Sequence, residues 1–159
     1  MTGHVVLIGV GNPWRGDDGV GRAVVDAAAQ QLSDVEVVRS DGEPARLIDA
    51  WTGAGLAVVV DAVRGGAAPG TVQVWDGDPG AARSVGATGS HALGIGEAIG
   101  LALVLGRLPA RLAVVGVHIE GASHGDGLSP LVAAAVDEAV ARVLELVQAG
   151  SRATSSAVE

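Results

Sequence analysis

The sequence predicts an α/β domain, a largely parallel sheet covered by helices on both faces. Three observations predict it. Apolar runs alternate with stretches of helical periodicity along the chain. The runs at Val5–Val10 and Leu56–Val60 are continuously apolar, as expected of parallel strands buried on both faces. The 159 residues, 48% of them hydrophobic, suit one domain with a core of its own.

Each element has a local reason. Val5–Val10 opens the sheet and breaks into Gly11-Asn12-Pro13-Trp14-Arg15-Gly16-Asp17-Asp18-Gly19. Residues 19–32 place Val20, Ala23, Val24, Ala27 and Ala28 near helical spacing. Residues 35–39 form a second strand, and 43–50 a short helix with Pro44 in its first turn. Residues 56–61 form a third strand that ends on Asp61. A turn rich in glycine and alanine over 65–70 leads to a strand with one wetter face over 71–75. Residues 90–105 are helical, with Ser90 as candidate N-cap. Residues 112–119 form the last strand. Residues 129–148 form a long helix with Leu131, Val132, Ala135, Val136, Ala139, Val140 and Val143 on one apolar face. One domain over 1–149 is expected, followed by a disordered tail over 150–159. No internal repeat or domain linker interrupts it.

Composition narrows the chemistry. The chain has no cysteine, so disulfides, thiol nucleophiles and cysteine metal sites are out. The formal net charge is -8 with no basic stripe, which argues against nucleic acid. No signal peptide and no run long enough for a membrane span are read, and a cytoplasmic protein is expected. Neither a G-x-S-x-G elbow nor a phosphate-binding P-loop occurs, and lysine is absent altogether. Ser123, His124 and Asp126 are too local to make a triad and read as a polar turn.

Right-handed crossovers bring the strand-to-helix loops to the carboxyl edge of the sheet, where open α/β sheets bind ligands. Asp17, Asp18, Asp41, Asp61 and His91 are expected around that cleft. Gly9-Val10-Gly11 is a poor dinucleotide fingerprint: Trp14 stands at the third glycine, and two carboxylates would repel a diphosphate. Of the adjacent aspartates, Asp17 is read as the cap of the helix near Gly19 and Asp18 as facing the cleft. A carboxylate at the end of a buried strand is costly unless partnered, so Asp61 reads equally as a functional group and as a capped turn. A lone histidine is more often structural, but His91 opens a helix on the cleft side. Two carboxylates and an imidazole make an O/N donor set that suits nickel or zinc and leaves coordination positions open. Trp14 and Trp51 fit either the cleft rim or the core.

These residues together resemble the hydrogenase maturation endopeptidases, which process the large subunit of nickel–iron hydrogenases. The likeness runs through Gly9-Val10-Gly11-Asn12, Gly16-Asp17-Asp18-Gly19-Val20-Gly21, Asp41-Gly42, Val60-Asp61-Ala62 and Ser90-His91. It continues through Leu105-Gly106, Pro109, Val114-Val115-Gly116-Val117, Glu120 and Gly127-Leu128-Ser129-Pro130, in order, to about Gln148. Residues 76–89 match nothing in it, and 121–125 are variable.

The resemblance implies a three-layer α/β/α fold on a mostly parallel, twisted sheet of about five strands, phosphorylase- or hydrolase-like. It implies that Asp18, Asp61 and His91 are both metal-contacting and catalytic, with Gly11, Asn12, Asp17, Gly19, Asp41 and Gly42 supporting them. It implies an aspartic-type, metal-recognising endopeptidase that removes a C-terminal extension from the large-subunit precursor once nickel is inserted. The nickel comes with the substrate, and other divalent ions can take its place. The partner is the precursor, and a monomer without nucleic-acid or membrane partners is expected. Two alternatives stand beside this reading. A nickel-dependent assembly chaperone would hold the precursor without cutting it. A peptidyl-tRNA hydrolase shares the opening Gly9-Val10-Gly11-Asn12-Pro13, but Arg15-Gly16-Asp17-Asp18 departs from its T-R-H-N, and the acidity disfavours tRNA.

Overall fold

A computed structural model describes residues 3–12, 14–77, 92–121 and 127–157. The elements are β1 (Val5–Val10), a 3-10 turn (Gly16–Gly19), α1 (Val20–Ala29), β2 (Val35–Ser40), α2 (Pro44–Trp51) and β3 (Leu56–Arg64). They continue with β4 (Val72–Gly77), α3 (Ala92–Leu105), β5 (Arg111–Ile119) and α4 (Pro130–Ala157). The sheet has five strands in the order β2-β1-β3-β5-β4. Four run parallel, and β4 pairs antiparallel with β5 at the edge.

Side chains alternate across each strand and divide the core into two layers. On one face, Leu7 of β1 and Val58 and Val60 of β3 pack against Val24 and Ala28 of α1 and Val132, Ala139 and Val143 of α4. On the other, Val6, Ile8, Ala57 and Val59 meet Leu47 and Trp51 of α2 and Ile95, Ala98 and Ile99 of α3. The three-layer expectation holds. Trp51 belongs to the core, where its indole N–H donates to the Arg107 carbonyl at 3.0 Å. Trp14 is 73% exposed in the loop after β1.

Three boundaries differ from the sequence reading, each for a tertiary reason. β3 does not end at Asp61. Pairing with β1 stops at Val60, but Asp61–Arg64 continue in register with Gly116–Ile119 of β5. Asp61 therefore lies inside a strand at the level where its other neighbour has left. The stretch before Val20 is a 3-10 turn, so α1 starts later than expected. α4 continues to Ala157, through the boundary expected at 150, with no proline after Pro130 to interrupt it. Among the described residues no helix is long and apolar enough to cross a membrane.

Candidate functional site

The loop after β1 folds back on itself at the carboxyl edge. Gly11 extends the ladder by one bond, its N–H donating to the Ser40 carbonyl at 2.9 Å. Its φ of +133° then turns the chain into a conformation that L side chains avoid, and a Cβ there would strike the Asp18 carbonyl. The Asn12 N–H donates to Asp18 Oδ2 at 2.9 Å, and the Trp14 N–H to Asn12 Oδ1 at 2.9 Å. The Asp18 N–H donates to the Arg15 carbonyl at 3.2 Å. Asp18 is thus gripped at both ends of a closed loop and is buried.

Asp17 is buried too, but it faces a different task. Ser129 donates to it twice, N–H to Oδ1 at 2.7 Å and Oγ–H to Oδ2 at 2.7 Å. The carboxylate thereby ties the 3-10 turn to the residue before α4, and no side chain caps α1, whose N-cap is Gly19. Asp17 therefore does not cap the helix near Gly19 as expected; its carboxylate is taken up by Ser129 ahead of α4. A carboxylate beside the unpaired N–H groups of a helix start is favourably placed.

Asp61 continues the alternation of Ala57 and Val59, which puts it on the α2/α3 side of the sheet. It is buried, and the Ala62 N–H donates to its Oδ1 at 2.8 Å. Burial pushes its pKa well above the ordinary carboxylate value of 3.8, against the lowering effect of that hydrogen bond, and the nearby negative charge of Asp18 raises it further. Asp18 and Asp61 are therefore electrostatically coupled acids at the edge where β1 and β3 part.

The other expected residues divide clearly. Asp41 is exposed: its Oδ1 accepts from the Glu43 N–H at 3.1 Å and its Oδ2 meets Arg46 at 2.9 Å. Both oxygens serve the start of α2. The Gly42 N–H donates to Ser40 Oγ at 3.0 Å. His91 lies outside the described residues, as does Ser90. α3 starts at Ala92, and its Ile95, Ala98 and Ile99 pack on the same sheet face as Asp61. Among the described residues no three His, Asp or Glu side chains form a metal-holding group.

Sequence reasoning did not assign a role to Ser40 or Ser129. Ser40 is a buried hub: its carbonyl takes the Gly11 N–H and, at 3.5 Å, an Arg22 guanidinium nitrogen, and its hydroxyl takes Gly42. A serine closing an apolar strand was the signal available for it. For Ser129, the only local signal was its place before Pro130 at a helix start.

Known proteins match this chain over most of its length. A family model described as hydrogenase maturation protease matches residues 23–146. A hydrogenase expression/formation protein HupD of Thiocapsa roseopersicina is 31% identical over an alignment of 148 residues that covers 89% of this chain and 66% of the relative. The chain thus spans just under two thirds of that relative's length. The hydrogenase 2 maturation protease of Escherichia coli K12 is 27% identical over 145 residues, 89% of this chain and 88% of the relative. In three dimensions, the hydrogenase-maturating endopeptidase HybD from E. coli superposes with a TM-score of 0.79 at 24% identity, over 91% of this chain and 92% of that one. This last likeness is one of fold.

Proposed function

The chain belongs to the hydrogenase maturation protease family, and from that premise we propose that it is an endopeptidase acting on the large-subunit precursor of a nickel–iron hydrogenase. It removes a C-terminal extension after nickel insertion, and the nickel held by the substrate is what it recognises. The observation that carries this reading is the coupled acid pair. Two buried carboxylates sit at one sheet edge, and one of them is held against ionisation by burial and by the other's charge. A divalent cation at this edge would offset both the desolvation of the Asp61 carboxylate and its repulsion by Asp18.

In this reading Asp18 and Asp61 grip the ion through oxygen, and His91 supplies a nitrogen donor from the residue before α3. Other divalent ions can substitute in vitro. Asp17 contacts nothing in the reaction; it fixes the turn that carries Asp18 by its bonds to Ser129. The ion supplies recognition and can polarise the scissile carbonyl. A precursor without nickel lacks the group that docks, so processing becomes a checkpoint on metal insertion. The protein acts as a monomer in the cytoplasm.

The test is incubation of the precursor with and without nickel, followed by mass spectrometry of its C-terminus. Shortening of only the nickel-loaded form is expected. Equal shortening of both would remove the checkpoint, and binding without shortening would establish the assembly chaperone instead.

A further inference from the structure

In this acid-rich chain five of the described arginines have found carboxylates. Arg39, Arg46, Arg107, Arg111 and Arg142 each meet an Asp or Glu on the surface. Among the described residues Arg15, Arg22 and Arg64 meet none, and all three lie at the carboxyl edge of the sheet. Arg15 is exposed in the β1–α1 loop, Arg22 is in the first turn of α1, and Arg64 closes β3. Arg22 and Arg64 are half-buried, and each has a buried Nε–H without an acceptor. Among the described residues Arg22 has one hydrogen bond, from an outer nitrogen to the Ser40 carbonyl at 3.5 Å, at the limit of hydrogen bonding.

A guanidinium cannot shed its proton, so a buried donor left open is costly. Arg64 follows Asp61 by three residues, about 10 Å along the strand at the usual rise. Its neighbour in register is Ile119, so it faces the α1/α4 side, as Arg22 does, while Asp61 faces the α2/α3 side. A polypeptide lying across the edge would meet Asp61 on one side and Arg64 on the other.

We infer that Arg22 and Arg64, with Arg15 from the adjoining loop, form a rim that receives carboxylates of the polypeptide substrate flanking the cleavage point. The guanidinium fork matches a carboxylate in two-point fashion, which an ammonium would not. The identity of the substrate rests on the proteolytic reading above; the chemistry of the rim does not.

The experiment uses the full chain labelled with nitrogen-15 and follows the arginine Nε–H signals. The probes are three short peptides: Ac-Glu-Gly-Glu-Gly-amide, its Gln counterpart, and Ac-Gly-Gly-Gly-Gly with a free carboxylate. The Glu peptide is expected to shift the Arg22 and Arg64 signals, and the Gln peptide to leave them unmoved. A shift with the free-carboxylate glycine peptide alone assigns the rim to a chain terminus; a shift with the Glu amide assigns it to acidic side chains. Arg64→Gln should weaken binding of the active peptide about tenfold, with Arg64→Lys recovering part of it, and raise KM for precursor processing with kcat unchanged. Arg22→Gln is a second probe, and Arg64→Gln decides if that variant does not fold. Silence of both signals towards both carboxylate peptides, or undiminished binding by Arg64→Gln, overturns the inference. Shifts that persist in a protein unable to process the precursor would retain the rim and remove the protease.

Discussion

Burial opposes ionisation of Asp61, and the charge on Asp18 acts in the same direction. The folded chain therefore holds a proton on Asp61 at pH values where the unfolded chain has released it. Stability from this group is complete below the ordinary carboxylate range and falls as pH rises towards the raised folded value, at up to about 1.4 kcal/mol per pH unit within that window. Asp61→Asn keeps the shape and removes the titration. Thermal unfolding across pH should show a flatter profile for the variant and greater stability than the parent at neutral pH. Precursor processing should fall about 100-fold, the scale of losing a metal-supporting group. A variant with the parent's pH slope would show that Asp61 is not the titrating group. The two aspartates beside each other in the sequence were recognisable as chemistry, but not their division of labour. Asp17 finds Ser129 across 112 residues, and no local rule reaches that far.

At the scale of elements, α1 carries the acid-bearing turn because it can lie almost on the sheet. A Cβ at Gly21 would run into the carbonyl oxygens of both Val60, where β1–β3 pairing ends, and Val10, the last residue of β1. Gly21→Ala must push α1 off the edge or distort two strand ends, at a cost of about 1–3 kcal/mol for overpacking. Urea unfolding should show that loss, and processing should fall more than stability alone explains because the Gly16–Gly19 turn moves with α1. Full activity in a destabilised variant would uncouple the helix position from the site. Most elements were readable because their apolar periodicity is local. The end of β3 was not: Asp61 looked terminal because a charged residue follows Ala57-Val58-Val59-Val60, yet β5 remains alongside for three residues more and extends the strand. Strand length belongs to the neighbours as much as to the residues.

The whole molecule carries formal charge -8 and buries two coupled acids at a sheet edge, so a divalent cation should stabilise it by binding only the folded form. Nickel at a hundredfold excess over its dissociation constant should add about 2.7 kcal/mol, read as a rise in unfolding temperature. Asp61→Asn should abolish the rise. Nickel that leaves the parent's melting temperature unchanged would mean that the site takes the ion only together with the precursor.

The sequence by itself determined the layered α/β architecture, the buried apolar strands and the acidic loop at the sheet edge, because alternating apolar runs can be hidden in few other ways. It also carried the family resemblance through motifs spread along most of the chain. Only the tertiary structure decided which carboxylate clamps a distant helix, which sits beside Asp61, and that Asp41 is taken up at the start of α2. Those choices depend on distances between residues far apart in sequence, and the folding of the sheet sets those distances.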